Sequence, residues 1–202
     1  MGKVFEMATE KPSMDADRMR KLQNISAAPY MQIATNLIGK ARFAGGNMFR
    51  HQIDTMGILI DYGYIDSVLL KASCCHDVIE DIPGFNPDLI KNADEEGQQV
   101  LDLVMEVTKK QGETKPEFLK RILNTGSHKA KVLKCADRIS NMISLGFVTS
   151  SEFIERYCDE TEYYILPIAI EVDYNMYQEL IGLIMTRRQY LEDSDYYDKK
   201  DD

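Results

Sequence analysis

Long apolar runs are absent from this sequence of 202 residues. No segment approaches the roughly 18 consecutive apolar residues that a membrane-spanning helix needs. Residues 1–18 alternate charged positions with short apolar pieces, so they lack the continuous apolar core of a secretion signal. We therefore expect a cytoplasmic protein that does not associate with a membrane.

Basic charge is scarce as well. The chain has a formal net charge of -9 at pH 7, and it lacks the excess of lysine and arginine that nucleic-acid binding requires. We therefore expect no nucleic-acid partner. Because the overall field repels anions, an anionic small-molecule substrate would need a metal ion or local basic side chains at its binding site.

Cysteine motifs are missing. The chain has four cysteines, and no two of them have the two-residue gap that is typical of metal-binding and redox motifs. The sequence therefore predicts small buried thiols in a reducing compartment rather than a disulfide framework. These residues are Cys74, Cys75, Cys135 and Cys158.

Only three histidines are present, which limits any histidine-rich metal site. His128 follows Gly-Ser and is predicted to be an exposed residue at the start of a helix. The remaining two, His51 and His76, are too few for the second metal ion of histidine-rich two-metal phosphodiesterases. The sequence therefore allows one metal centre that uses His51 and His76.

Apolar residues recur at helical spacing through most of the chain, and no segment alternates convincingly with the period of a strand. This pattern predicts an all-α fold, a compact multi-helix bundle. We expect a single domain over residues 1–202, with about 1–15 and 192–202 flexible. The predicted helices are 29–43, 50–62, 66–82, 95–109, 128–145, 151–171 and 174–191, with short helices opening near 86 and 116.

An acidic cluster follows an apolar run in the segment CCHDVIED. Glu80 lies four residues after His76, and Asp81 lies four residues after Asp77, so helical geometry places acidic groups on one side. One interpretation is a helix end that turns acidic towards solvent, although the helix dipole disfavours acids at a C-terminus. The other is a ligand-binding rim, because four ionisable groups next to an apolar run are costly without a partner.

Asp137 lies on a strongly apolar predicted helix, in the segment VLKCADRISNM. Aspartate is rarely buried without a partner, so it either binds a cation or forms a salt bridge with Arg138 or a nearby lysine. Asn141 falls one turn later on the same face. Both interpretations remain open from the residues alone.

Two imidazoles and two carboxylates would together suit a first-row divalent ion. A set of His51, His76, Asp77 and Asp137 is intermediate in hardness, which favours manganese or iron and permits zinc or cobalt. Such an ion lowers the pKa of bound water and polarises a phosphoryl oxygen. An adjacent acid, Glu80 or Asp81, would orient the water or take its proton.

The order of these segments resembles the HD superfamily of metal-dependent phosphohydrolases. More narrowly, it is similar to the hydrolase domain of RelA/SpoT-type enzymes, which remove the 3′-pyrophosphate of the alarmone ppGpp in the stringent response. The resemblance covers about residues 33–169. It is carried by KARFAGGNMFRH, HDVIED, Val107-Thr108-Lys109, ADRISNM and ETEYYILPIA.

The resemblance implies a role for each matching residue and a reaction. A metal-activated water would attack the 3′ phosphorus of the nucleotide and release pyrophosphate, usually with manganese as the cofactor. Arg42 would bind the nucleotide and Asn141 would contact the substrate. The implied metal ligands are His51, His76, Asp77 and Asp137, and the implied catalytic acids are Glu80 and Asp81.

Two departures from the family pattern keep other substrates open. The family commonly has Lys-Ser where this chain has Phe43-Ala44, and Pro-Tyr where it has Asn47-Met48. Phe43 would either stack on a base or pack in the core. Alternatives to a small stand-alone ppGpp hydrolase are therefore a phosphatase for a nucleoside monophosphate or NADPH, and a non-catalytic nucleotide-sensing module.

Overall fold

The computed structural model describes residues 14–198, with side chains up to 193. Within that range the chain is a bundle of helices, and its only β feature is a bridge between Ala41 and Asn47. The α-helices are α1 (Ala16–Asn24), α2 (Ala28–Ala34), α3 (Met48–Asp61), α4 (Ser67–Ser73), α5 (Val78–Asp81), α6 (Asp88–Lys91), α7 (Gly97–Val107), α8 (Lys115–Thr125), α9 (His128–Ser144), α10 (Ser151–Glu160), α11 (Leu166–Val172) and α12 (Tyr174–Asp198).

Helix α9 is the centre of the bundle. Ser127 begins it by accepting a hydrogen bond from the backbone N–H of Ala130, which satisfies a donor that the first turn leaves free. Most of the helix is buried, and it packs against α3 on one side and against α7, α11 and α12 on others. The site residues of α9 are therefore held by a rigid, fully packed element. His128 is exposed at its first position, as predicted.

The predicted helix over 66–82 is interrupted. Asp66 caps α4 as expected, but α4 ends at Ser73, and residues 74–77 form a turn before α5. The ring Nδ1 of His76 donates to the Ser73 carbonyl at 2.8 Å, which satisfies a carbonyl that the helix end leaves free. The break thus places His76 and Asp77 in a turn instead of on a continuous helix.

The predicted helix over 29–43 is also shorter than expected. Helix α2 ends at Ala34 and continues only as a 3₁₀ turn, Thr35–Leu37. The Thr35 hydroxyl donates to the Gln32 carbonyl at 2.6 Å, and the Asn36 amide to the Ile33 carbonyl at 2.8 Å. Such side-chain bonds compete with helix continuation.

A tight turn follows and presents Arg42 to α9, where it contacts Asn141 and Ser144. The backbone N–H of Arg42 donates to the Gly46 carbonyl, and that of Gly45 to the Arg42 carbonyl, both at 3.1 Å. Gly45 and Gly46 have φ values of 86° and 72°, which are easily adopted only by glycine. The side chain of Asn47 then caps α3 by accepting from the N–H of Arg50.

The predicted helix over 151–171 contains a π-helical turn, Thr161–Ile165, between α10 and α11. Pro167 lacks the N–H that would continue the α-helical ladder, and a π-bulge relieves that mismatch. At the chain ends, α1 was not predicted, and α12 extends to Asp198, beyond the predicted helix end at 191. Residues 1–13 and 199–202 lie outside the described part of the chain.

Candidate active site

His51 and Asp137 join the two central helices of the bundle. The His51 ring is buried, with 1% exposure, because it lies in the first turn of α3 against α9. Its Nδ1 lies 2.9 Å from the Ser140 hydroxyl, and its Nε2 lies 3.0 Å from Asp137 Oδ1. A buried carboxylate oxygen and an imidazole nitrogen therefore face each other across the α3–α9 contact.

His76 brings a second imidazole to the same point. Since a carbonyl only accepts, the bond to Ser73 assigns a proton to Nδ1, so Nε2 is the nitrogen that carries the lone pair in the neutral ring. Nε2 lies 3.3 Å from Asp77 Oδ2 and 3.8 Å from Asp137 Oδ1. It is buried and has no hydrogen bond of ordinary geometry among the described residues.

The charged groups around the His51 and His76 rings favour a positive charge at this position. Burial alone would lower the pKa of His76, but the neighbouring carboxylates of Asp77 and Asp137 raise it to about 9. Burial would raise the pKa of the Asp137 carboxyl, yet Lys134 and the two imidazoles hold it well below its usual range. The negative charge of the two aspartates therefore favours a cation between the imidazoles, either a proton or a metal ion.

The donor set fits a divalent metal ion. Ligand atoms of His51, His76 and Asp77 lie within 4.8 Å of one another. Asp137 adds an oxygen close to both imidazoles, and Asp77 Oδ2 lies 3.6 Å from His51 Nε2. An orphaned buried imidazole nitrogen beside two carboxylates is the arrangement expected of a metal centre. The structure brings all four predicted ligands together.

Asp137 reconciles the two interpretations that the sequence left open. Its Oδ1 faces the imidazoles, and its Oδ2 accepts from the Lys134 ammonium at 2.6 Å. One carboxylate therefore forms a salt bridge and still presents an oxygen to the metal position.

Gln52 is a site residue that the sequence reasoning missed. Its amide Nε2 donates to Asp77 Oδ2 at 2.7 Å, and its Oε1 accepts from the Asp77 backbone N–H at 3.3 Å. Gln52 is completely buried next to His51. The only signal in the sequence is a polar residue directly after a candidate ligand, which is too common to carry a prediction.

Glu80 and Asp81 lie on α5 and line one cleft of about 290 Å³ together with His51, Asp77 and Asp137. Glu80 Oε2 accepts from the backbone N–H of Lys109 at 3.2 Å. Asp81 Oδ1 accepts from the Lys40 ammonium at 2.7 Å. Both predicted catalytic acids therefore line the same cleft as three of the predicted metal ligands.

Asn141 lines both this cleft and a second cavity of about 310 Å³, and Arg42 lines the second cavity. Arg42 donates to Asn141 Oδ1 at 2.8 Å and to the Ser144 hydroxyl at 3.1 Å. The Asn141 amide donates to Asp137 Oδ1 at 2.5 Å. A chain of hydrogen bonds thus connects the predicted nucleotide-binding arginine with the predicted metal ligands.

Phe43 is not a core residue. Its side chain is 70% exposed and its ring centroid lies 4.8 Å from that of Phe153, at the rim of the second cavity. This position excludes the core alternative and leaves an aromatic face at the cavity mouth.

The all-α bundle that we predicted is confirmed, and a solved structure shares this fold. Among solved structures, the chain is similar to that of a metazoan ortholog of SpoT that hydrolyses ppGpp and plays a role in starvation responses. The identity is 22% and the TM-score 0.66, over 87% of this chain and 98% of that chain.

The similarity confirms the predicted resemblance to SpoT-type hydrolases at the level of the fold. The sequence matches no protein-family model and has no significant match among curated proteins. Two further predictions can be compared with the structure. All four cysteines are free and buried, as expected, and no described helix is long and apolar enough to cross a membrane.

Proposed function

We propose that this protein is a metal-dependent nucleotide phosphohydrolase that removes the 3′-pyrophosphate of ppGpp. The observation that carries the proposal is the convergence of two buried imidazole nitrogens and two aspartate oxygens, with His51, Asp77 and Asp137 lining a polar cleft. The ppGpp hydrolysis of the structurally similar SpoT ortholog supports the choice of substrate. We extend the proposal to domain organisation, with residues 14–198 acting as one hydrolase domain.

The four residues His51, His76, Asp77 and Asp137 would hold the ion. We propose manganese, with iron, cobalt and zinc as alternatives, because mixed imidazole and carboxylate donors accommodate all of them. When bound, a divalent ion supplies Lewis acidity and lowers the pKa of water.

In the reaction, a water oxygen forms a bond to the 3′ phosphorus and the bond from that phosphorus to the ribose oxygen breaks. Glu80 is positioned to accept the water proton, because its carboxylate is held only by the backbone N–H of Lys109 within the described contacts. Asp81 is paired with the Lys40 ammonium, so we assign it to orientation of the water instead of proton removal. The products are pyrophosphate and a 5′-phosphorylated guanosine.

The nucleotide would lie over the second cavity. Arg42 lines this cavity, and Asn141 links it to the proposed metal ligand Asp137, so these two side chains would align the ribose phosphates with the water. The exposed ring of Phe43 offers a face on which a base can stack.

The proposal is tested by pyrophosphate release from ppGpp with manganese present. We expect release by the purified protein, and loss of release together with bound metal in His76→Ala and Asp77→Ala. The matched control is His128→Ala, because His128 is exposed and lies outside the cleft. Release that persists at the wild-type rate in both site variants would overturn the proposal.

A phosphatase for another nucleotide is the second candidate, and the exposed Phe43 favours it, since an aromatic face accepts any base. A panel of nucleoside monophosphates and NADPH, assayed for inorganic phosphate, separates the two. A sensing module without turnover is disfavoured because both acids, Glu80 and Asp81, remain at the cleft. Binding of ppGpp without product at any metal concentration would instead support it.

A further inference from the structure

The hydroxyl of Ser140 does not follow the usual pattern of a serine inside a helix. A helical hydroxyl commonly donates to the carbonyl four residues earlier, as those of Ser144, Thr55 and Thr125 do in this chain. Ser140 lies on α9, but its hydroxyl oxygen is 2.9 Å from Nδ1 of His51 on α3. Ser140 is 3% exposed, and within the described part of the chain its hydroxyl has no other hydrogen-bond partner. A contact between two helices has therefore replaced a local one.

Asp137 and Ser140 hold the His51 ring from its two nitrogens. They lie three residues apart on α9, so their side chains project from the same face of the helix. Asp137 Oδ1 is 3.0 Å from His51 Nε2, opposite the Ser140 contact at Nδ1. Because the last torsion of a histidine side chain has a broad range, two contacts from one buried helix define a ring orientation that a single contact would define poorly.

The tautomer of a metal-binding histidine depends on its second nitrogen. A histidine that binds an ion through Nε2 carries its ring proton on Nδ1, and this N–H requires an acceptor. The structure provides one for each proposed imidazole ligand. Nδ1 of His76 pairs with the backbone carbonyl of Ser73, whereas Nδ1 of His51 pairs with the Ser140 hydroxyl. Of these two acceptors, only that of His51 belongs to a side chain, which a substitution can remove.

A hydroxyl suits this position because it accepts a hydrogen bond without adding charge. Two aspartate oxygens already lie near His51 Nε2, that of Asp77 at 3.6 Å and that of Asp137 at 3.0 Å. A carboxylate in place of Ser140 would add a third negative charge to a buried environment. Because a hydroxyl can also donate, the contact is available whichever ring nitrogen carries the proton before an ion binds.

We propose that Ser140 is a positioning residue of the metal centre, which directs Nε2 of His51 towards the ion and stabilises the tautomer that binds it. The inference rests on the proposed function and adds to it a residue outside the ligand set. Ser140 does not line the cleft that contains the proposed ligands, and its contact is with the opposite ring nitrogen, so it acts only through His51. Loss of its hydroxyl should therefore weaken metal binding.

The first test is calorimetric titration of the chelator-treated full chain with manganese. We expect Ser140→Ala to weaken manganese binding about 10- to 100-fold, the loss that is typical when a residue that orients a ligand is removed. Ser140→Cys keeps the size of the side chain but offers only a weakly accepting sulfur, so it should show a similar loss. Ser140→Thr keeps the hydroxyl and should retain most of the affinity. Urea unfolding checks that each variant is folded, and either Ser140→Ala or Ser140→Cys is sufficient for the test.

The second test observes the His51 ring by nuclear magnetic resonance in the zinc-loaded protein. The chain has only three histidines, so their ring signals are few enough to assign. We expect the Nδ1–H proton signal of His51 to move upfield in Ser140→Ala, because a proton that leaves a hydrogen bond is more shielded. The corresponding signal of His76 should stay in place, since its acceptor is the Ser73 carbonyl. Equal movement of both signals would indicate a general change in packing and would contradict the assigned role.

The matched control is Thr55→Val, which removes a buried hydroxyl one turn after His51 that bonds only to a backbone carbonyl. It should leave manganese affinity unchanged. Wild-type affinity in Ser140→Ala and Ser140→Cys, or an equal loss in Thr55→Val, would overturn the inference, while pyrophosphate release from ppGpp by the wild type would still uphold the proposed function. A wild type that neither binds manganese nor releases pyrophosphate would overturn both.

Discussion

The side chain of Gln52 holds Asp77 at two points. Its amide donates to the Asp77 carboxylate at 2.7 Å, while its carbonyl oxygen accepts from the Asp77 backbone N–H at 3.3 Å. The carboxylate oxygen so fixed is the one that lies 3.3 Å from His76 Nε2 and 3.6 Å from His51 Nε2. A buried carboxamide on α3 therefore sets the orientation of a proposed metal ligand in the turn after α4.

We expect Gln52→Leu to weaken metal binding. The substitution removes both contacts from Asp77, and loss of a residue that orients a ligand typically costs about 10- to 100-fold in metal affinity. Calorimetric titration of the chelator-treated protein with manganese measures the change. Gln98→Leu is the matched control, because Gln98 bonds to Asp102 on the exposed side of α7. An unchanged manganese affinity in Gln52→Leu would contradict the assigned role.

Substitution of Arg42 should separate substrate binding from chemistry. Arg42 contacts Asn141 and Ser144, lines the second cavity and is not one of the proposed metal ligands. We expect Arg42→Ala to raise KM for ppGpp about tenfold or more, with a smaller change in kcat, because a charge-assisted contact to the nucleotide is lost. Steady-state kinetics on Arg50→Ala, an exposed arginine nearby, provide the comparison. A fall in kcat at constant KM would argue against a nucleotide-binding role.

Glu80→Gln should abolish most of the chemistry and retain the metal. The variant keeps the acceptor for the Lys109 N–H but removes the group that takes the water proton. General-base catalysis contributes about 10²- to 10⁴-fold, so kcat should fall within that range. Metal content and kcat are measured on the same preparation. Loss of the ion along with activity would instead make Glu80 a ligand, and wild-type kcat would remove it from the mechanism.

Which site residues could be predicted depends on how far apart they lie in the sequence. His76, Asp77, Glu80 and Asp81 stand in one short segment, so their proximity could be predicted from spacing. The convergence of that segment with His51 and Asp137 was proposed from the chemistry of the four donors and from the resemblance to a family, because spacing does not report contacts between distant segments. Gln52 could not be found, because it owes its role to Asp77, which is distant in the sequence.

Two predicted helices end earlier in the structure than expected. Local side-chain hydrogen bonds end them, and the spacing of apolar residues does not reveal such bonds. The 29–43 prediction continued past Ala34, where the side chains of Thr35 and Asn36 compete for backbone carbonyls. The 66–82 prediction missed the turn at 74–77, where the ring of His76 binds the Ser73 carbonyl. In both segments the apolar residues still fall on one face, which is why the bundle itself was predicted correctly.

A salt bridge near the cleft provides a prediction about pH and stability. Arg121 donates to both Glu113 carboxylate oxygens, at 2.7 and 2.9 Å, and also to the carbonyls of Glu106 and Thr108. The guanidinium bonds lower the pKa of the Glu113 carboxyl to about 2, although burial opposes this. The salt bridge stabilises the loop between α7 and α8. The backbone N–H of Lys109 in this loop donates to the Glu80 carboxylate.

Because the folded-state pKa of Glu113 lies below its unfolded value of 4.5, its ionised form favours folding above pH 4.5, and this contribution is lost as the pH falls towards 2. We expect Glu113→Gln to lower the free energy of unfolding by about 1–2 kcal/mol at pH 7. The difference from wild type should shrink steadily between pH 4.5 and pH 2. Urea unfolding at several pH values measures it, with the exposed Glu95→Gln as the control. A difference that is constant over this range, or that grows as acid is added, would mean that Glu113 is not stabilised by its charge on Arg121.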